Sequence, residues 1–164
     1  MRTRTFCFAL CFAAVALNPW NDLIAGSRSE LPNDVNLELA GRCLLYSFSY
    51  QRMVSEGFGI EIGMSVLGGG SSESSSSIVF FTGGGRVYFI PKQASPFIGG
   101  GFVALTASSS SGPFSSSGSS SYGFVGPGFE FRAEGGFLIR GSVYALIASG
   151  GFFIWPGVAI GIAF

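Results

Sequence analysis

The chain has 164 residues, nine basic and nine acidic, no histidine, and a composition that is 48% hydrophobic but only 11% charged. Soluble domains carry roughly 25% charged residues, so something other than water is expected to cover much of this surface. The charges cancel and no stretch concentrates Lys or Arg, which removes the electrostatic footprint of a nucleic-acid binder.

Met1-Arg2-Thr3-Arg4 followed by the apolar run Phe6 to Leu17 has the layout of a secretory signal, so residues 1–25 are expected to be removed. Ala14-Val15-Ala16 and Ala25-Gly26 offer small-residue cleavage sites, which leaves the cut open between 16 and 26. A lipoprotein anchor on Cys11 fits less well, because Leu10 stands where a small residue is needed. An uncleaved anchor helix is disfavoured because the run falls short of the roughly 20 residues that span a bilayer. Removal of Cys7 and Cys11 leaves Cys43 alone, and no intramolecular disulfide can then form. Residues 26–34, polar and irregular with Pro32, are expected to be a linker.

From Val35 onward, apolar stretches of strand length alternate with turn-forming clusters, and no capped helical period intervenes. Eight strands are predicted, at 36–42, 45–54, 58–67, 77–90, 95–106, 121–132, 136–147 and 152–164. Tight turns at 55–57, 91–94 and 133–135 join strands 2 and 3, 4 and 5, and 6 and 7. Connections at 68–76 and 107–120, dominated by Ser and Gly, are expected to be long, mobile and solvated, with Phe114 as the one large apolar residue available for adhesion. In an up-and-down order the tight turns fall on one rim and the serine-rich connections on the other, an asymmetry typical of outer-membrane barrels. The short connections near 41–44 and 148–151 follow this rule only in part.

Face alternation points the same way. In strand 3, Phe58, Ile60, Ile62, Met64 and Val66 share one face, against Gly59, Glu61, Gly63 and Ser65. Tyr46, Phe48 and Tyr50 oppose Ser47, Ser49 and Gln51. Phe137, Ile139, Val143 and Ile147 alternate with Arg140, Ser142 and Tyr144. Near the carboxy terminus, Val158, Ile160, Ile162 and Phe164 alternate with Gly157, Ala159, Gly161 and Ala163. A strand with bulky residues on one face and small or polar ones on the other suits a barrel whose outside touches lipid. The runs Gly83-Gly84-Gly85, Gly99-Gly100-Gly101 and Gly126-Pro127-Gly128 are expected to mark bulges or sharp bends. Tyr46, Tyr88, Tyr122, Tyr144 and Trp155 are candidates for interfacial girdles or for ordinary packing.

The predicted fold is therefore all-β, an eight-stranded antiparallel up-and-down transmembrane β-barrel over residues 35–164. With the slim face inward, Glu38, Glu61, Arg86, Glu130 and Arg140 enter the lumen, with Arg52 as a further candidate. An eight-stranded barrel is just wide enough for side chains to fill, so these groups are expected to form a packed ionic network without an open pore. A catalytic carboxylate pair among Glu38, Glu61 and Glu130 is the competing reading. The absence of histidine removes a Ser-His nucleophile-base pair and the usual zinc constellation. The Gly-x-Gly patterns precede no helix and so fail as phosphate loops. No catalytic residue, cofactor or metal site is expected.

Asn36-Leu37-Glu38-Leu39-Ala40-Gly41 followed by Leu45-Tyr46-Ser47-Phe48-Ser49-Tyr50-Gln51-Arg52, together with a terminal strand ending in Phe164, resembles the small eight-stranded outer-membrane β-barrel proteins of Gram-negative bacteria, the OmpA-like and OmpX-like group. The resemblance covers residues 35–164. It implies an outer-membrane location reached through a secretory signal, membrane lipid as the medium, and Phe164 as the assembly signal read by the barrel-assembly machinery. The chain departs from full-length OmpA-like proteins in carrying no following peptidoglycan-binding domain, which counts against wall tethering. The role implied is structural, adhesive or protective. Two alternatives stand beside it. One is a secreted lipocalin-like barrel with an apolar ligand inside, argued against by Glu61, Ser65, Arg140 and Ser142. The other is a transmembrane helix over Val143 to Phe164, argued against by Gly150-Gly151, Pro156 and the period of two.

Overall fold

A computed structural model of the chain describes residues 28, 30–70, 74–90, 92–111 and 114–164. The signal segment and its cleavage sites lie outside them. Eight strands follow one another: β1 Asn33–Ala40, β2 Tyr46–Ser55, β3 Phe58–Gly70, β4 Ser74–Tyr88, β5 Ala94–Ser111, β6 Phe114–Arg132, β7 Phe137–Ala148 and β8 Gly151–Ala163. Each pairs antiparallel with its successor, and β1 pairs with β8 from Asp34 opposite Ala163 to Ala40 opposite Gly157, which closes the barrel. The fold is an all-β, eight-stranded, up-and-down barrel. Val143 to Phe164, the candidate helix, is the end of β7 and the whole of β8. No helix among the described residues is long and apolar enough to cross a membrane.

The period of two sets which residues face outward. Ile60, Ile62, Met64, Val158, Ile160 and Ile162 are exposed, whereas Gly59, Glu61, Gly157 and Ala159 between them are buried. Ile62 keeps 66% of its surface accessible while Glu61 keeps 4%, the reverse of a water-soluble domain.

The strands differ in height. β3 to β6 run 13, 15, 18 and 19 residues, against 8 and 10 for β1 and β2. In β4 to β6 the extra length is largely serine, and in β3 it is glycine. Ser74 to Ser77 pair with Ser108 to Ser111, and β5 continues against β6 as far as Ser111 opposite Phe114. The expected long connections at 68–76 and 107–120 are thus mostly strand, and the rims differ in strand height more than in loop length. Ladder hydrogen bonds are blind to side-chain type, so pairing that starts in the apolar belt continues into the serine tracts.

The glycine runs carry no register shift, although at Gly126-Pro127-Gly128 the ladder to β7 lapses at Gly126 and Pro127 before resuming in the same register at Gly128 opposite Ser142. Register passes unbroken through Gly83 opposite Phe102, Gly84 opposite Gly101 and Gly85 opposite Gly100. These glycines allow close approach, since a Cβ on Gly101 would stand 2.6 Å from the Gly84 Cα. The register shift falls instead between Met53 and Ser55 in β2.

Candidate functional site: a two-storey lumen

The inward side chains form two layers. Near the short turns lies an ionic layer in which β6 and β7 set Glu130 directly opposite Arg140, and β2 and β3 set Gln51 opposite Glu61. Arg140 donates to Glu130 Oε2 through Nε at 2.9 Å and Nη2 at 2.6 Å, and the Tyr88 hydroxyl donates to the same oxygen at 2.8 Å. Arg28 and Arg132 each approach Glu130 Oε1 at 3.3 Å. Arg86 meets Glu61 at 2.5 Å, and Arg140 stands 3.9 Å from it. Gln51 joins the two halves. Its carbonyl accepts from Arg86 and, at 3.3 Å, from Arg140, while its amide donates to Tyr88 at 2.9 Å. The Phe97 ring lies beneath both guanidinium groups, 5.4 Å from that of Arg86 and 6.0 Å from that of Arg140.

Glu38 enters the network through Arg42, which pairs with Glu38 at 2.9 Å and also with Glu61. The Tyr144 hydroxyl donates to Glu38 at 3.1 Å. Arg42 gets inside because the chain turns sharply after β1. Ala40, Gly41 and Leu44 all have positive φ, at 56°, 69° and 72°, and the 3-10 turn Gly41–Cys43 folds into the barrel mouth. A second arginine enters from the opposite end. Arg28 is buried, lies 4.4 Å over the Tyr88 ring and donates to the carbonyls of Ile90 and Lys92.

Glu38, Glu61, Arg86, Glu130 and Arg140 therefore lie in one connected, buried network. Sequence reasoning missed Asp34, Arg42, Arg132 and Arg28. Asp34 accepts from Arg132 at 2.8 Å and from Asn36 at 2.9 Å. The alternation Asp34, Asn36, Glu38 signals the first, and the step of two from Glu130 signals Arg132. Arg52 is a correction: it is exposed on the outer face, in phase with Phe48 and Tyr50. It sits near the end of β2, where water replaces hydrocarbon and an outward charge costs little. Tyr88 and Tyr144 are buried lumen residues and form no girdle.

The upper layer is apolar. Cys43, Phe80, Val103, Phe124, Tyr144 and Leu146 form one buried cluster, with Phe124 and Tyr144 edge to face at 5.5 Å. Leu67, Ile78, Leu105 and Tyr122 pack on it from above. A lipocalin-like interior would also be apolar, but here the layer is occupied by the protein's own buried rings and rests on a charged floor. Every carboxylate described in that floor faces at least one guanidinium, an arrangement that holds charge in place.

The closure of the sheet is shared with known barrels. No family model and no curated protein matches the chain. Among solved structures, the N-terminal β-barrel domain of Pseudomonas aeruginosa OprF is similar at 10% identity and a TM-score of 0.60, over 80% of this chain and 95% of that one. Ail, the attachment invasion locus protein of Yersinia pestis, matches at 15% identity and 0.51, over 80% and 93%. The Ail complex with the heparin analogue sucrose octasulfate gives 16% and 0.54, over 80% and 94%. At such identities the likeness speaks for the fold. The chain has the architecture of the small eight-stranded outer-membrane β-barrels.

Proposed function

We propose that this chain is an integral protein of the bacterial outer membrane, with a structural, adhesive or protective role, no open pore and no enzymatic activity. One observation carries the reading: large apolar side chains encircle the outside while arginines and carboxylates are sealed within. Hydrocarbon is the medium that suits both faces, since an outward Arg at the bilayer midplane costs about 2 to 4 kcal/mol. The similarity to OprF and Ail supports the same placement, and Ail, an attachment and invasion locus product by name, supports the adhesive option. Lumen arginines buried to 3% exposure or less support a plug. Cell fractionation combined with a heat-modifiability gel tests the reading. A carbonate-resistant protein that migrates faster before boiling is expected, and a carbonate-soluble protein unaffected by boiling would overturn it. Liposomes containing the protein should remain impermeable to small sugars.

Phe164 serves as the assembly signal in this reading. Its backbone exchanges hydrogen bonds with Asn33 at 2.8 and 3.1 Å, tying the last residue to the first strand, while its side chain stays exposed for the assembly machinery. Deleting Phe164 should leave the secreted precursor unassembled in cells. Normal insertion of the truncated chain would remove this role.

A further inference from the structure

Above the closed barrel the wall continues as an open sheet. β6 pairs with β7 only from Gly123 opposite Ile147 downward, whereas its pairing with β5 reaches up to Phe114 opposite Ser111. Among the described residues, the upper part of β6 therefore has a ladder on one side and none on the other. The opposite edge of the ribbon is β3, which loses β2 above Met64 opposite Phe48. That edge is shorter, and its Val66 carbonyl already accepts from the Tyr46 hydroxyl.

Every residue from 115 to 121 is exposed, and none is charged or proline. Natural sheets blunt their edges with Lys, Pro or a bulge, because a straight row of unpaired N–H and C=O groups is a template for another strand. Register with β5 runs unbroken to Phe114, so no bulge turns this edge away. Sequence symmetry singles out the strand that fits it. Residues 115–121 read Ser-Ser-Ser-Gly-Ser-Ser-Ser, the same in both directions about Gly118. Two such segments laid antiparallel put their Gly118 residues opposite each other and serine opposite serine everywhere else, the self-complementarity that a twofold contact requires. The ribbon already displays the side-chain part of such a match. Ser75 bonds Ser110 at 3.0 Å and Ser77 bonds Ser108 at 2.9 Å across antiparallel β4 and β5, while no described residue pairs with the hydroxyls of residues 115–117 and 119–121. We infer that the free edge of β6 pairs antiparallel with the same edge of a second copy of this chain.

The pairing fixes where that copy sits. The twofold axis of an antiparallel pair stands perpendicular to the sheet, which in a barrel is the radial direction, so it lies in the membrane plane. It turns the second barrel upside down. Two copies inserted the same way in one membrane do not meet like this, but two copies in facing membranes do. The inference deepens the adhesive option by naming its partner, and it rests on the outer-membrane reading that puts the serine rim outside. One short polar contact is weak, and many copies on each of two surfaces multiply it.

The test inserts the purified barrel into phosphatidylcholine vesicles at about 0.15 M salt, where exposed charges more than about 8 Å apart are screened. Flotation reports insertion, heat-modifiable migration reports folding and light scattering reports clustering. Vesicles carrying the parent protein should cluster, the more so at higher protein density. In the inferred register residue 117 of one copy faces residue 119 of the other. Ser117→Lys with Ser119→Lys should therefore abolish clustering by setting like charges opposite, and so should Ser117→Glu with Ser119→Glu. Mixing lysine vesicles with glutamate vesicles should restore it. Ser108→Lys with Ser110→Lys, of equal charge but on β5 and off the edge, should cluster like the parent. Inserted parent protein that leaves vesicles dispersed, edge variants that cluster as the parent does, or a mixture no more adherent than its components would overturn the contact. Barrels that insert without clustering strike this inference alone, whereas carbonate-soluble protein strikes the membrane placement beneath it.

Discussion

In the lower storey of the lumen β6 and β7 set Glu130 against Arg140, and in the upper storey the same two strands set Phe124 against Leu146. Both pairs are buried and both fill the barrel, yet they respond to damage in opposite ways. An ionic layer works only when complete, because each charge has lost its water and depends on its partners. An apolar layer loses stability in proportion to the atoms removed. The two layers meet where Arg42 reaches down from the mouth to Glu38 and Glu61, and where Tyr144 of the apolar cluster donates to Glu38.

The sharpest way to break this contrast is Arg140→Met. It strips a cation from Glu130, Asp34 and Glu61 together. Removing one partner of a buried pair costs about 3 to 5 kcal/mol, so a large drop in the urea midpoint of micelle-folded protein is expected. Adding Glu130→Gln should recover part of the loss. A double variant as unstable as the single one would show that the layer acts through packing and not through charge.

Next in size is the contrast between inside and outside. Ile160 is exposed and its neighbour Ala159 is 2% exposed. Ile160→Arg should cost about 2 to 4 kcal/mol by placing a cation in hydrocarbon, while Ala159→Ser adds a hydroxyl to a lumen already lined with polar groups. The membrane-inserted fraction measures both. Equal insertion of the two variants would contradict the choice of faces.

Those faces were legible in the sequence because the period of two is strong where bulky and small residues alternate, as in 58–66 and 157–164. Glu130 and Arg140 were legible for the same reason. Arg52 was misplaced because a rule about composition, that charges go inward, was set above the phase of its own strand, in which Phe48 and Tyr50 already pointed out. Arg42 had no reliable periodic signal, since the positive φ at Ala40 and Gly41 ends the strand before it. The serine strands were invisible for a different reason. With Ser on both faces no alternation exists, and the ladder forms because its partner strand continues, a fact about pairing that no single segment carries.

Within the upper storey, Val103 gives a graded test. It is fully buried in the apolar cluster and lies between Thr82 and Tyr122 in register. Val103→Ala removes two methylene equivalents, worth about 1.6 kcal/mol, and the urea midpoint should fall by that amount with the fold unchanged. A loss as large as that of Arg140→Met would mean that the apolar layer is as cooperative as the ionic one.

The serine ribbon extends the contrast to a third chemistry, in which neither charge nor burial is at stake. Ser77 donates to or accepts from Ser108 at 2.9 Å, but Ser77 is only half-buried and Ser108 exposed, so water replaces the bond as soon as it is lost. Ser77→Ala should therefore leave the midpoint within about 0.5 kcal/mol of the parent protein. The backbone ladder, from Ser74 opposite Ser111 to Tyr88 opposite Phe97, is what holds β4 against β5 through this region. Amide hydrogen exchange separates the two contributions. Protection at Ser75 to Ser77 should be unchanged in Ser77→Ala, and a selective loss there would show that the side-chain pairs, and not the continuing strands, keep the ribbon in register.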